Sequence, residues 1–285
     1  MSTKSIVTKA NSYIEVAKSN AKISKEMCQK AIASLDLTSL NDNDTNEVIK
    51  KLCQQAKSSS VPTASVCVYP QFVNLAANEL KDTSISIATV INFPKGEDSS
   101  KKVYDDTIEA IQNGANEIDV VWDFKAFMQN DVEKANEIIK SCRKAIDDEN
   151  SKVNKNVLLK VILETGALSE MNDPSAIYQA SLHAIANGAN FIKTSTGKIA
   201  KGASLEAAAS MLLAIAKTYN ESKKIVGLKV SGGVRTCPQA SEYMSLFQEI
   251  LTKEIPENPI TIQKNTFRIG ASGLFKNLIN ELNNY

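Results

Sequence analysis

The chain is 285 residues long, 43% hydrophobic and 23% charged, the balance of an ordinary water-soluble globular protein. Lysine plus arginine number 33 and aspartate plus glutamate 32, so the net charge of +1 offers no global field for nucleic acid or an anionic membrane. Five dispersed cysteines without a CxxC pair, and one histidine, exclude a disulfide framework and a multi-histidine zinc site, and leave a Ser-His-Asp triad poorly supported.

Residues 1–30 form a lysine-rich extension with helical character. Its opening, MSTKSIVTKA, lacks the apolar core of a signal peptide, so reduced thiols and a cytoplasmic location are expected. Eight short β-branched, apolar runs follow: SLDLT (34–38), SVCVY (65–69), SIATVI (86–91), EIDVV (117–121), VLLKVILE (157–164), FIKTST (191–196), GLKVSG (227–232) and FRIGA (267–271). They alternate with helical patterns of three to four turns. DDTIEAIQNGA and SAIYQASLHAIANGA carry apolar residues at 3–4 spacing and place Gly114 and Gly188 where a helix end favours glycine. His183 sits inside the second pattern and is read as structural. Residues 251–265 read as a polar loop before the last strand. The longest apolar stretches, Ala207–Ala216 and Val157–Leu163, fall well short of a membrane span.

Eight β/α units point to a closed (β/α)8 TIM barrel, taken as one domain over residues 1–285 with the helical extension in front. The competing doubly wound sheet would need a glycine-rich dinucleotide turn after its first strand, and none is present.

Strands buried on both faces should be near-continuous hydrophobic runs. Five of these runs instead carry a charge in mid-strand: Asp36, Asp119, Lys160, Lys193 and Lys229. Alternation turns Ile192 and Thr194 toward the helices and Lys193, with Phe191 and Ser195, toward the barrel axis. By the same rule Leu159, Val161 and Leu163 face outward and Lys160 inward, while Leu228 and Val230 leave Lys229 inside. A structural ion pair would account for any one of these. Three lysines and two aspartates converging on one axis are too costly to desolvate for stability alone. Crowded ammonium groups in a partly dry site lower one another's pKa and free an amine to attack a carbonyl. Periodicity alone does not say which lysine attacks.

Barrel active sites lie at the C-terminal ends of the strands, with phosphate often held after strands seven and eight. Three glycine-bearing loops fall there: STGK (195–198), SGGVRT (231–236) and GASG (270–273). They offer Thr196, Gly197, Lys198, Gly232, Gly233, Arg235, Gly270 and Ser272 as the expected substrate-binding set, with the inward Lys160 placed beside them. Backbone N–H groups at the glycines, the start of the helix LFKNLINEL and the charges of Lys198 and Arg235 suit an anion.

The segments FIKTSTGK, EIDVVWD, KVILETGAL, LDLTSLNDNDT, VCVYP, NFPKG, GLKVSGGVRT and RIGASG, in order from about residue 30 to 280, resemble deoxyribose-phosphate aldolase. The resemblance implies reversible cleavage of 2-deoxy-D-ribose 5-phosphate to acetaldehyde and D-glyceraldehyde 3-phosphate, with a lysine-dependent aldolase or transaldolase for another sugar phosphate as the alternative. It implies Lys193 as the Schiff-base lysine, Lys229 as the lysine that lowers its pKa, and Asp119 as the carboxylate that moves protons with an ordered water. Asp36 matches an acid near the substrate hydroxyls, and Gly197, Gly232, Gly233 and Ser272 match phosphate-contacting positions. No metal or organic cofactor is implied. The expected partner is a small phosphorylated aldehyde or deoxysugar, with neither nucleic acid nor membrane, and a homo-oligomer is compatible. Three positions depart from the pattern: Val230 where many relatives have Pro or Ala, Trp122 where Phe or Tyr is frequent, and Gly273 in place of a second serine hydroxyl. Relatives can carry a tail whose final tyrosine reaches the active site. Tyr285 ends this chain, but three residues beyond a descending nine-residue helix are too few to climb back unless that helix unwinds or the tail serves a neighbouring subunit.

Overall fold

All eight apolar runs form strands, and these pair in chain order, every neighbour parallel, into a closed barrel. The strands are β1 (Leu35–Thr38), β2 (Ser65–Val68), β3 (Ser86–Ile91), β4 (Glu117–Val121), β5 (Leu158–Ile162), β6 (Phe191–Lys193), β7 (Gly227–Ser231) and β8 (Phe267–Ala271). The computed structural model describes residues 3–153 and 156–285. Helices α1 (Thr3–Asn20) and α2 (Lys25–Ala33) precede β1, and α3 (Asn46–Lys57), α4 (Val73–Leu80) and α5 (Ser100–Gln112) follow β1, β2 and β3. Two helices follow β4, α6 (Phe124–Met128) and α7 (Val132–Val153), and two follow β5, α8 (Thr165–Leu168) and α9 (Ala176–Ala186). The circuit ends with α10 (Leu205–Ser222), α11 (Cys237–Glu254) and α12 (Leu274–Leu282) after β6, β7 and β8. No helix among the described residues is long and apolar enough to cross a membrane.

Alternation decides what each strand buries and where. Leu159, Val161, Ile192, Leu228 and Val230 are fully buried in the main apolar core, between barrel and helices. A second, small cluster of Leu40, Cys67, Ala88 and Val90, with Tyr69 and Phe93 against it, is apart from that core. Its strand residues belong to β2 and β3 and alternate inward. The barrel interior is therefore apolar on the β2–β3 side and charged from β4 round through β8 to β1.

The helix ends explain why the strands arrive in register. Gly114 and Gly188 adopt φ +112° and +103°, and the N–H groups of Ala115 and Ala189 donate back to Ala110 and Ala184. This left-handed glycine cap closes α5 and α9 just before β4 and β6, the strands that carry Asp119 and Lys193. At the other end of the chain circuit, Thr236 caps α11 in a reciprocal box with Gln239, whose Oε1 also accepts the Arg235 N–H at 2.8 Å. The glycine loop after β7 is thus pinned at its exit.

Three expectations need correcting. Residues 251–265 are not all loop, because α11 runs to Glu254, where Lys9 of α1 pairs with the Glu254 carboxylate at 2.7 Å. The extension does not stop at residue 30: α2 continues to Ala33 and feeds β1 directly, while Ile6, Ala10, Ile14 and Ala17 of α1 are buried in the core, α1 packing on α10 and α11. Strand β6 ends at Lys193 rather than 196. Beyond it the Thr194 hydroxyl donates to the Ser231 carbonyl at 3.0 Å and accepts the Ser231 N–H at 2.9 Å, in place of the regular ladder.

Candidate active site

Asp119 of β4 is completely buried and is approached by three ammonium groups. Lys160 donates to its Oδ1 at 2.8 Å, and Lys193 and Lys229 share its Oδ2 at 2.8 and 2.7 Å. Below this point the ion pairs continue. Lys160 meets Glu117 at 2.5 Å and Asp36 at 3.4 Å, and Lys229 meets Asp36 at 2.5 Å. Arg268 closes the chain, paired with Asp36 and with Glu117 at 2.7 Å, its guanidinium 5.6 Å from the centroid of the Phe191 ring. The connected network holds four cations (Lys160, Lys193, Lys229, Arg268) against three anions (Asp36, Glu117, Asp119).

The three lysines are not equivalent. Lys160 touches three carboxylates, Lys229 two and Lys193 one. Burial opposes the charged form of every one of them. For Lys160 and Lys229 the neighbouring carboxylates outweigh burial and hold the amine above the ordinary lysine value. For Lys193 burial wins: it pushes the pKa down, Asp119 opposes it, and the nearby Lys229 charge adds to the fall. Burial therefore exceeds Lys229 as the cause of the shift expected from sequence. Against burial, Lys160 leads the cations that hold Asp119 and Asp36 well below the usual carboxylate range.

Lys193 also differs in access. Although only 3% exposed, it lines a cleft of about 250 Å³ at the mouth of the barrel. The same cleft is lined by Thr196, Gly197, Lys198, Gly232, Gly233, Arg235, Gly270 and Ser272, so the three glycine loops do converge. Thr38, Asn41 and Val234 share the lining, and Gly273 caps α12 at its edge, so the start of that helix borders the cleft. Asp36 and Lys160, expected at the substrate, are fully buried in the ion network and do not line it.

Three glycines shape this layout. Gly232 has φ +88°, and Gly202 approaches it so closely that a Cβ on Gly202 would lie 2.1 Å from the Gly232 carbonyl oxygen. Gly270 leaves room for the Lys229 stem, since a Cβ there would stand 3.0 Å from Lys229 Cε and from Ser231 Cβ. Nothing lies within 4 Å of a Cβ built on Gly273. Lys198 spans the mouth, donating to the Leu40 carbonyl at 2.6 Å with its ammonium 3.6 Å from Asp42.

Three site residues escaped the sequence reading. Glu117 and Arg268 are buried charges inside EIDVV and FRIGA, and Glu117 stands two residues before Asp119, so the same alternation identifies its face as inward. Glu164, in the left-handed region at φ +55°, accepts the Thr196 hydroxyl at 2.5 Å and lies outside the ion-pair chain. Burial pushes its pKa up. Its place at the C-terminal end of β5 was the available signal.

Tyr285 is 57% exposed, absent from the cleft lining, and its hydroxyl donates to the Ile23 carbonyl at 3.4 Å. Deleting it is expected to leave turnover within about threefold of the full chain, since loss of an exposed terminal contact is close to neutral. A hundredfold loss in a steady-state assay would show that the tail does reach the site.

The sequence profile of the DeoC/LacD family aldolases matches residues 30–255. Among solved structures, a chain from Coccidioides immitis, provisionally described as a deoxyribose-phosphate aldolase, is 24% identical, with 96% of this chain and 97% of that one covered and a TM-score of 0.72. One from Toxoplasma gondii with the same provisional description is 19% identical over 92% and 96%, TM-score 0.78. The tetrameric deoxyribose phosphate aldolase of Aeropyrum pernix is 20% identical over 94% and 96%, TM-score 0.63. At these identities the structures speak for the barrel fold.

Proposed function

Since the chain belongs to the DeoC/LacD family of aldolases, we propose that it cleaves 2-deoxy-D-ribose 5-phosphate reversibly to acetaldehyde and D-glyceraldehyde 3-phosphate through an imine on Lys193. The observation that carries this reading is the asymmetry among the three lysines on Asp119. Lys193 reaches the cleft and has a lowered pKa, whereas Lys160 and Lys229 do not line it and are held protonated.

In the open-chain sugar the Lys193 amine attacks C1. The carbonyl oxygen takes up protons and leaves as water, giving an iminium. The C3 hydroxyl then gives up its proton, the C2–C3 bond breaks, and its electron pair enters the iminium to form an enamine. Glyceraldehyde 3-phosphate departs, C2 of the enamine is protonated, and water hydrolyses the imine to acetaldehyde. Asp119, with Lys229 on the same oxygen and a water, moves these protons, while Asp36 and Lys160 hold Asp119 and Lys229 in place from below. The loops bearing Thr196, Gly197, Gly232, Gly233, Gly270 and Ser272 hold the phosphate by backbone and hydroxyl donors, and Lys198 and Arg235 add charge. The whole of residues 1–285 acts as one such unit in the cytoplasm, and assembly into a homo-oligomer is consistent with the reading.

Borohydride reduction with acetaldehyde is expected to leave an ethyl group on Lys193, located by peptide mass spectrometry, and the protein is expected to turn over deoxyribose 5-phosphate. An adduct on Lys160 or Lys229 would overturn the assignment. A Lys193 adduct without turnover of that sugar phosphate would keep the chemistry and move the substrate to another member of the class.

A further inference from the structure

Arg268 and Glu117 do not line the cleft and make no contact with the Lys193 amine, yet they belong to the same chain of ion pairs. Lys193, Lys229 and Arg268 are register partners on β6, β7 and β8, which puts Arg268 two strand spacings, about 10 Å, from the lysine at the cleft. The groups facing Lys193 are Asp119 from β4, Lys160 and Glu164 on and just past β5, Lys229 from β7 and Cys67 from β2, with Asp36 beyond Lys229. Glu164 is occupied by Thr196 rather than by a cation.

We propose that Arg268 is a positioning residue that helps the Lys193 amine shed its proton by giving the network one cation more than its anions, with Glu117 as the counterweight that limits the effect. A surplus of one positive charge is relieved most easily by shedding one proton. Arg268 cannot shed it, because a guanidinium stays protonated throughout the accessible range. Among the lysines the proton leaves where fewest carboxylates hold it, and that is Lys193, with one contact against two and three. Without Arg268 the network would hold three cations and three anions, and Lys193 would hold its proton to a higher pH. Arg268 also occupies oxygens of Asp36 and Glu117, keeping both carboxylates ionised and away from the cleft.

The inference rests on Lys193 being the imine-forming amine, and its test separates the two. The full-length protein is incubated with acetaldehyde and cyanoborohydride across a pH series, and the Lys193 adduct is quantified by mass spectrometry. Glu117→Gln removes one anion while keeping the side-chain shape, and is expected to move the acid limb of adduct formation down by about one pH unit. Arg268→Met is expected to move it up by about one unit, the size expected for a unit charge about 10 Å away at a protein-like dielectric. The double variant should return to the wild-type limb, and Arg268→Lys should stay on it. If Arg268→Met does not fold, the double variant must still lie about one unit above Glu117→Gln. Variants that leave the limb unmoved, or that move it in one common direction, overturn the role of Arg268. A wild-type protein without a Lys193 adduct at any pH overturns the imine assignment, and this inference with it.

Discussion

Replacement of Lys193 by methionine is expected to abolish turnover and, in the same protein, to raise the melting temperature. The loss follows from the proposed chemistry: without the amine there is no imine and no electron sink, and a fall of about 10⁴-fold or more is the usual scale for removing a covalent nucleophile. The gain follows from the charge count. Lys193 is the surplus cation of a buried network, and methionine fills nearly the same volume without a charge to desolvate. Asp119 keeps Lys160 and Lys229 as partners. The linkage has a definite sign. The Lys193 pKa is lowered by folding, so the unfolded chain binds more protons between the folded value and about 10.5, and the wild type gains stability as pH rises through that window. Each unit of lowering costs the native state about 1.4 kcal/mol below the folded pKa, which for a chain this size is about 2–4 °C. Thermal melts of Lys193→Met against wild type should therefore differ more at pH 6 than at pH 9 and converge above about pH 10.5. A variant that melts lower than wild type at pH 6 would show that Lys193 is held as a stabilising cation.

Asp119→Asn is expected to lose both activity and stability. The amide cannot balance three ammonium groups, so four cations would face two anions. Breaking a buried ion pair from one side destabilises by about 3–5 kcal/mol, which a urea titration resolves. Turnover should fall about 10³-fold, because proton transfer to and from the carbinolamine loses its carboxylate. Adduct formation on Lys193 should behave differently. Asp119 is the group that raises the Lys193 pKa, so its removal moves the acid limb of trapping to lower pH even as turnover collapses. Turnover within tenfold of wild type would remove Asp119 from the chemistry, and a limb moving to higher pH would contradict the electrostatics.

The strands were legible because each carries an inward charge or small residue between outward apolar ones. Lys160, Lys193 and Lys229 betray their face through Leu159, Val161, Ile192, Leu228 and Val230. The glycine loops were legible because barrels hold anions at one end. Glu117 and Arg268 were not, because each sits near the start of its strand, where a charge ordinarily reaches solvent, and they meet across 151 residues of sequence. The early end of β6 was hidden for a related reason: threonine is a good strand former, and nothing in FIKTST says that the Thr194 hydroxyl will take the Ser231 backbone. The helices α6 and α8, five and four residues long, are too short to leave a periodic signal.

Gly270, near the end of β8, and Gly273, at the start of α12, have opposite fates under redesign. Any side chain at 270 would press on the stem of Lys229 and on Ser231, which must give by a few tenths of an ångström, so a change there is felt by the lysine cluster. At 273 the backbone is in the ordinary helical region with open space around a would-be Cβ, so alanine or serine can enter without backbone strain or a close contact. The mouth of this barrel is therefore more open to change at its outer edge than three residues earlier, beside the lysine cluster. An engineer seeking to admit acceptors of different charge would diversify 273 and leave 270 alone.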